Sequence, residues 1–118
     1  MKTIFIVDDS DTNLAMAEEA LEDDFRVMTL PSAAKMFALL EKMTPNLILL
    51  DIEMPEMNGF EALEKLKANS LWSGIPVIFL TGTASASIEE KGLKLGAVGI
   101  VTKPFSSSTL INQINSHI

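Results

Sequence analysis

The feature that most constrains the fold of this chain is a series of short apolar runs that end in polar residues. The two clearest runs are Ile4–Val7 and Leu47–Leu50. The polar residues that follow such runs are Asp8 and Asp9, Asp51, Thr81 and Lys103. Because the carboxyl ends of parallel strands form one rim of a sheet, groups that are distant in sequence meet there. The sequence therefore predicts a pocket with three carboxylates, a hydroxyl and an amine, which suits a phosphoryl group and a divalent cation.

The apolar runs alternate with segments of helical period, which is typical of βα units that build a parallel sheet covered on both faces. The predicted strands are Thr3–Val7, Arg26–Leu30, Asn46–Leu50, Val77–Leu80 and Val98–Thr102. The predicted helices cover Thr12–Glu22, a segment capped by Ser32, Gly59–Asn69, Ser87–Leu95 and Ser107–Ile118. The second helix is expected to bury Ala33, Phe37 and Leu40. A chain of 118 residues, 47% of them hydrophobic, fits one α/β domain over residues 1–118.

Two loops and three glycine positions are expected to shape the pocket and its surroundings. The loops are Ile52–Asn58 and Gly82–Ala86. The dipeptide Asn58–Gly59 suits a tight turn with positive φ, and Gly82 leaves room for an incoming group because it lacks a β-carbon. Gly92 costs about 1 kcal/mol inside a helix, so we expect the fourth helix to be the most mobile.

Composition excludes several classes of function. The net charge of −7 disfavours direct binding to nucleic acid or to an anionic membrane. The absence of cysteine excludes disulfides, thiolate catalysis and cysteine-ligated metal sites. No long apolar segment follows Lys2, so neither a signal peptide nor a membrane span is indicated. We therefore expect a cytoplasmic protein whose partners are proteins or cations.

The three acids have a simpler interpretation when each is taken singly, since aspartate is a favoured N-cap of the helix that follows a strand. Helix capping leaves at least one of the three without a structural purpose. Two like charges about 4 Å apart also repel by about 4 kcal/mol at an effective dielectric near 20. A bound Mg²⁺, or Mn²⁺ in its place, would relieve that repulsion.

Lys103 is the predicted cation of the pocket. A lone lysine is usually exposed at a strand end, but an ammonium here would balance the charge, because Mg²⁺ and Lys103 together offset three carboxylates. Pro104 follows directly, and an X-Pro bond adopts the cis form at a cost of only about 0.5 to 1 kcal/mol. We expect a cis peptide at this position.

Five short motifs together resemble the receiver domain of two-component response regulators, and the resemblance covers the whole chain. The motifs are Ile6–Asp9, Leu49–Pro55, Asn58–Gly59, Leu80–Gly82 and Thr102–Phe105. The resemblance implies a doubly wound, flavodoxin-like (βα)5 fold with a five-stranded parallel sheet in the order 2-1-3-4-5. It also implies a signalling phospho-acceptor, which catalyses only its own phosphorylation and dephosphorylation.

The resemblance assigns a role to each pocket residue. Asp51 would be the phospho-acceptor, with a histidine kinase or a histidine phosphotransfer protein as donor. Asp9 and Asp51 would bind Mg²⁺ directly, Asp8 mainly through water, and Glu53 through its backbone carbonyl. The sequence leaves open whether the Glu53 side chain faces the phosphoryl group or the solvent. If it faces inward, we expect Glu53→Ala to change the phosphoryl lifetime.

The remaining assigned roles concern the phosphoryl oxygens and the output. Lys103 would hold one phosphoryl oxygen, and Thr81 would bond another once the aspartyl phosphate forms. A conformational switch would then control an effector domain or a partner protein.

The chain departs from the family pattern at Ile100, where many receivers carry an aromatic residue that moves with the threonine. We expect signalling here to rely on the fourth helix and the loop Gly82–Ala86, and Ile100→Tyr to alter output without abolishing phosphorylation. The segment Ser106–Ile118 carries no formal charge, which argues against salt-bridged dimers. A phosphorylation-dependent homodimer through apolar residues of this region stays open, although burial of Leu110 and Ile114 in the core is the simpler expectation.

Two other functions share these features. A phosphatase with an aspartyl nucleophile would ordinarily need an added domain to enclose its substrate. A flavodoxin-like flavin carrier would place phosphate at the acidic segment Asp8–Asp11, which repels it unless a cation intervenes. A P-loop enzyme is excluded because the Gly-x4-Gly-Lys-Ser/Thr motif is absent.

Overall fold

A computed structural model gives the fold, and it describes residues 1–83 and 85–118, so Ala84 of the predicted loop Gly82–Ala86 lies outside the described residues. The strands are β1 (Thr3–Val7), β2 (Arg26–Leu30), β3 (Leu47–Asp51), β4 (Val77–Thr81) and β5 (Gly99–Thr102). The helices are α1 (Asp11–Leu21), α2 (Ala33–Leu40), α3 (Gly59–Ala68), α4 (Ala86–Leu95) and α5 (Ser107–Asn115). The strands are parallel in the order β2-β1-β3-β4-β5, which confirms the predicted fold.

The sheet is buried on both faces because successive strand residues point to opposite sides. On one side, Phe5 and Val7 join a core cluster with apolar residues of α2 and α3. On the other side, Ile4 and Ile6 pack with apolar residues of α1 and α5. Both faces of β1 need apolar side chains, so its sequence is a continuous apolar run. Within the described ranges, no helix is long and apolar enough to cross a membrane.

Each described helix begins at a serine or asparagine cap, and none begins at one of the pocket acids. The caps are Ser10, Ser32, Asn58, Ser85 and Ser106. Each cap side chain accepts a hydrogen bond from the backbone three residues later. Helix capping therefore does not explain Asp8, Asp9 and Asp51.

The segment between β3 and α3, the β3–α3 loop (Ile52–Asn58), differs from the prediction. Asn58 has φ −78° and caps α3, so the predicted positive-φ turn at Asn58–Gly59 is wrong. The left-handed residue is Glu56, with φ 68°. Gly59 is required for space instead, because a β-carbon there would collide with the carbonyl oxygen of Asp51 and with Ile52.

Gly92 is needed for close packing of α4 on the sheet, which its low helix propensity does not indicate. Gly92 is buried, and a β-carbon at this position would lie 3.0 Å from the Phe79 ring and 3.3 Å from Ile100. The small residue lets α4 lie close to β4 and β5. The helix also begins at Ala86, one residue before the predicted start.

The second and fifth helices differ from prediction in detail. Met36 rather than Phe37 is the fully buried residue in the middle of α2, and Phe37 is half-buried. In α5, Leu110 and Ile114 are completely buried, which confirms the expectation that they pack the core. The helix ends at Asn115, three residues before the predicted end at Ile118.

Candidate functional site

The carboxyl ends of β1 and β3 bring the three predicted acids together. Val7 pairs with Leu50 across the two strands, so the residues that follow lie at the same edge of the sheet. Carboxylate oxygens of Asp8, Asp9 and Asp51 all lie within 4.8 Å of one another. The parallel pairing of β1 and β3 thus brings together acids that are more than forty positions apart in the sequence.

Asp8 is fixed by hydrogen bonds to both of its carboxylate oxygens. The residue is 1% exposed, its Oδ1 accepts a hydrogen bond from the Ser10 backbone at 2.9 Å, and its Oδ2 accepts one from Lys103 at 2.8 Å. The Ser10 contact is a short aspartate turn that connects β1 to the cap of α1. Asp8 is therefore held in place before any ligand binds.

Asp51 has one engaged and one available oxygen. Its Oδ1 accepts hydrogen bonds from Lys103 Nζ at 3.1 Å and from the Glu53 backbone at 3.4 Å. Its Oδ2 accepts none from the described residues. Every fully buried side-chain polar atom in the described ranges has a partner, so this oxygen reaches solvent. A nucleophile needs such an accessible atom.

Burial raises the pKa of the Asp51 carboxyl to about 6, and the negative charge of Asp8 adds to the rise. Hydrogen bonding and attraction to Lys103 lower the pKa but do not cancel the first two effects. The charged form of Asp51 is thus less favoured than in a solvent-exposed aspartate, and further positive charge in the pocket would favour it again.

Lys103 bridges Asp8 and Asp51, as the charge balance predicted. Its side chain is 17% exposed. Burial lowers the pKa of its ammonium, but the hydrogen bonds and negative charges of Asp8 and Asp51 outweigh burial, so the net shift is upward. Lys103 therefore stays protonated. The Lys103–Pro104 peptide bond is cis, as predicted.

Thr81 is completely buried at the end of β4, directly after Leu80, which is the cross-strand partner of Asp51. Its hydroxyl donates to the Thr83 carbonyl and accepts from the Thr83 backbone N–H, both at 3.1 Å. In this arrangement the hydroxyl is occupied within the β4–α4 loop (Gly82–Ser85). It has to exchange a partner before it can bond a phosphoryl oxygen.

The donor set fits a hard divalent cation such as Mg²⁺. Asp9 is exposed and takes part in no hydrogen bond or ion pair among residues 1–83 and 85–118. The Glu53 carbonyl accepts no backbone hydrogen bond in the described part of the chain, and its side chain is exposed. Three carboxylates and a free carbonyl are oxygen ligands, which Mg²⁺ prefers. One lysine leaves the three acids with excess negative charge.

Of the predicted switch residues, Ile100 lines a small cavity beside Thr81. The cavity has a volume of about 90 Å³ and includes Ile88 and Ile100 in its lining. Ile100 is half-buried and does not fill this space. A β-carbon on Gly82 would meet no atom of the described residues within 4 Å, which agrees with the predicted room at this position.

Two contributors to the site were not identified from the sequence. Ser10 was missed as the backbone donor to Asp8, although aspartate two residues before a cap is a recognisable turn pattern. Thr83 was missed as the partner of Thr81. No periodic signal marks Thr83, because its contact depends on the path of a short loop.

Comparison with known proteins gives consistent matches over nearly the whole chain. A family model described as the response regulator receiver domain matches residues 4–115. A probable cyclic di-GMP phosphodiesterase of Vibrio cholerae is 40% identical over 116 residues, which is 98% of this chain and 26% of that protein. Protein PilH of Pseudomonas aeruginosa is 34% identical over 117 residues, which is 98% of this chain and 97% of PilH. The chain thus spans about a quarter of the first relative and nearly all of the second.

Solved structures give the same match in three dimensions. The chemotaxis protein CheY4 of Vibrio cholerae has a TM-score of 0.94 with 28% sequence identity, over 100% of this chain and 99% of that chain. A CheY-like receiver domain from Methanospirillum hungatei has a TM-score of 0.88 with 33% identity, over 98% of this chain and 92% of that one.

Proposed function

This chain belongs to the response regulator receiver family, and from that premise we propose that it accepts a phosphoryl group on Asp51. Receiver domains act in two-component signalling, where histidine kinases supply the input and effectors give the output. The donor proposed here is the phosphohistidine of a kinase or of a phosphotransfer protein. The observation that carries this proposal is the contact of Lys103 with both Asp8 and Asp51 in a buried acidic pocket.

The proposed step is an in-line displacement at phosphorus. The accessible Oδ2 of Asp51 attacks, a new O–P bond forms, and the P–N bond to the donor histidine breaks. The bonding electron pair leaves with the imidazole nitrogen. The products are an aspartyl phosphate on this chain and a free histidine on the donor. Alignment and charge neutralisation supply most of the catalysis in such a transfer.

The pocket residues would neutralise and orient the transferred group. Lys103 already donates to Asp51 Oδ1 at 3.1 Å, so its ammonium lies beside the reacting carboxylate and can hold a phosphoryl oxygen. Asp8, Asp9, Asp51 and the Glu53 carbonyl would hold Mg²⁺, with Mn²⁺ as a substitute. When bound, the cation supplies positive charge to the carboxylates and the phosphoryl oxygens.

The proposed switch begins at Thr81. Its hydroxyl would leave Thr83 and donate to a phosphoryl oxygen, which changes the path of the β4–α4 loop and the start of α4. Ile100 offers no ring to transmit the change, so output would pass through α4, where a β-carbon at Gly92 would lie only 3.0 Å from Phe79 and 3.3 Å from Ile100. The phosphodiesterase name of one relative describes a protein four times as long, and we assign no such activity to this region.

The deciding experiment is Mg²⁺-dependent phosphorylation by acetyl phosphate, read by intact-protein mass spectrometry. We expect one added phosphoryl group in the wild type and none in Asp51→Asn. Asp11→Asn is the matched control, since Asp11 is an exposed acid in the first turn of α1, outside the cluster. Equal labelling of wild type and Asp51→Asn would show that the acceptor lies elsewhere.

Three further expectations stay predictions: the domain bounds 1–118, a cytoplasmic location and a phosphorylation-dependent homodimer.

A further inference from the structure

An apolar groove lies between α2 and α3, outside the acidic pocket. It has a volume of about 570 Å³, within the range of about 300 to 1,000 Å³ that is usual for binding pockets. The α2–α3 groove is lined by Ala34, Phe37, Met57, Lys65, Ala68 and Trp72. The helices do not pack closely on each other, which leaves the space between them open. None of the phosphoryl or metal residues lines it.

The groove presents large apolar side chains that the core does not fully cover. The rings of Phe37 and Trp72 lie 5.5 Å apart at an angle of 38°, and both residues are half-buried. Tryptophan, other aromatic residues and methionine are enriched at the centres of protein interfaces. These residues make the groove suited to apolar anchors from another protein.

One charged side chain lines the groove, and it is a cation. Lys65 is exposed and forms no ion pair within the described part of the chain. Its neighbour Lys67 is already used, since Lys67 Nζ donates to the Ser73 carbonyl at 3.0 Å. The nearby acid Glu61 is also engaged, in the capping box of α3. The charge of the groove is therefore complementary to a carboxylate.

We propose that the α2–α3 groove binds an amphipathic helix of a partner protein, with apolar residues in the groove and a carboxylate facing Lys65. The groove follows α3, whose ten residues span about 15 Å, or about three helical turns. A helix that places anchors at i, i+3 or i+4, and i+7 matches that length. We expect the binding not to require phosphoryl transfer, because none of the lining residues is one that holds the phosphoryl group or the metal.

The test uses Trp72, the only tryptophan of the chain, as its reporter. Tryptophan-free amphipathic peptides of about eighteen residues, with leucine and phenylalanine on one face and flanking glutamates, are titrated into the full chain. A second set carries lysine in place of each glutamate. We expect a saturable change in Trp72 emission and at least a tenfold preference for the acidic peptides. Asp51→Asn should bind equally well.

Three variants locate the binding. Lys65→Glu should reverse the charge preference, and Ala34→Arg should block the groove without disturbing the core, because Ala34 is exposed. Lys2→Glu is the matched control, with the same charge change at an exposed residue outside the groove. Circular dichroism verifies that each variant is folded. Absence of saturable binding, or binding indifferent to Lys65→Glu and Ala34→Arg, overturns the proposal. Self-association that Ala34→Arg abolishes in sedimentation would also overturn it, since the occupant is then a second copy.

Discussion

The two loops that flank the acidic pocket are held in different ways. In the β3–α3 loop, the Gly59 N–H donates to the Ile52 carbonyl at 2.8 Å, and the side chains of Asn58 and Glu61 form a complete capping box where α3 begins. The described hydrogen bonds between the β4–α4 loop and β4 both involve the Thr81 hydroxyl. A main-chain hydrogen bond thus joins the ends of the β3–α3 loop, whereas the described contacts of Thr83 with β4 depend on one side-chain hydroxyl.

This difference suits two separate tasks. The Gly59–Ile52 hydrogen bond does not involve the Asp51 side chain, so it can hold the ends of the β3–α3 loop together when that side chain is modified. A hydroxyl can exchange its partners at a net cost of about 1 kcal/mol per hydrogen bond. The β4–α4 loop can therefore respond to a new acceptor near Thr81. The same pocket combines a fixed side and a responsive side.

The largest effect should come from adding a methyl group at Gly59, the residue that directly follows the β3–α3 loop. Gly59→Ala places a β-carbon against the Asp51 carbonyl and Ile52, both of them backbone, so we expect a loss of about 3 kcal/mol in the free energy of unfolding. Gly82→Ala is the matched control in the other loop, where the added β-carbon meets no described atom, and should change stability by less than about 0.5 kcal/mol. Urea unfolding measures both. Similar losses in the two variants would break the comparison.

The second-largest effect should come from the charge of the Asp51 carboxylate, which lies between the two loops. Because the folded pKa of Asp51 is raised from 3.8 to about 6, its contribution to stability is greatest below pH 4 and is lost as the pH rises through 6. Without metal at pH 7.5, Asp51→Asn should therefore be more stable than the wild type by about 1 to 2 kcal/mol. This gain in stability is smaller than the free energy that corresponds to the whole pKa shift of Asp51, because the variant loses the carboxylate that accepts a hydrogen bond from Lys103.

Adding Mg²⁺ should reduce the difference in stability between Asp51→Asn and the wild type. At tenfold excess over its dissociation constant the cation stabilises the wild type by about 1.4 kcal/mol, and we expect little effect on Asp51→Asn. Thermal unfolding with and without Mg²⁺, from pH 4 to pH 8, measures both effects. A metal-free wild type whose stability rises over this pH range relative to Asp51→Asn would contradict the electrostatic account.

A smaller effect should appear at the responsive loop. Thr81→Val keeps the shape of the buried side chain but removes both hydrogen bonds to Thr83, at an expected cost of about 1 kcal/mol. Thr102→Val is the control, since Thr102 is the exposed cross-strand partner of Thr81. Chemical denaturation compares the two variants. If Thr81→Val costs no more than Thr102→Val, the hydroxyl does not hold the loop.

The smallest expected effect is at Glu56. A left-handed residue other than glycine costs about 1 to 2 kcal/mol, and glycine loses about 0.5 to 1 kcal/mol in chain entropy, so Glu56→Gly should stabilise the protein by about 0.5 kcal/mol. Glu56→Ala retains the strain and should be close to neutral. The difference between these two variants in urea unfolding measures the strain stored in the β3–α3 loop. A Glu56→Gly variant that is no more stable than Glu56→Ala would show that the strain is negligible.

The sequence was most informative where the signal is local. The bounds of β1 agree with the prediction because an apolar run and the polar residues around it define a strand without reference to the rest of the chain. The bounds of β2 agree with the prediction as well. The predicted end of α5 was wrong, because Ser116 and His117 have no apolar side chain to bury and the helix stops at Asn115. Phe37 was misplaced because helical periodicity alone does not distinguish it from its neighbour Met36.

Residue types at short spacing are enough to predict the βα alternation, the acids and amine at strand ends, and the motifs of the receiver family. Three features became visible only in the folded chain: Lys103 contacts both Asp8 and Asp51, Gly59 and Gly92 are needed for close approach, and an open groove lies between α2 and α3. These features depend on distances between segments remote in sequence. Burial and through-space charge, which set the pKa of Asp51, exist only after the chain has folded.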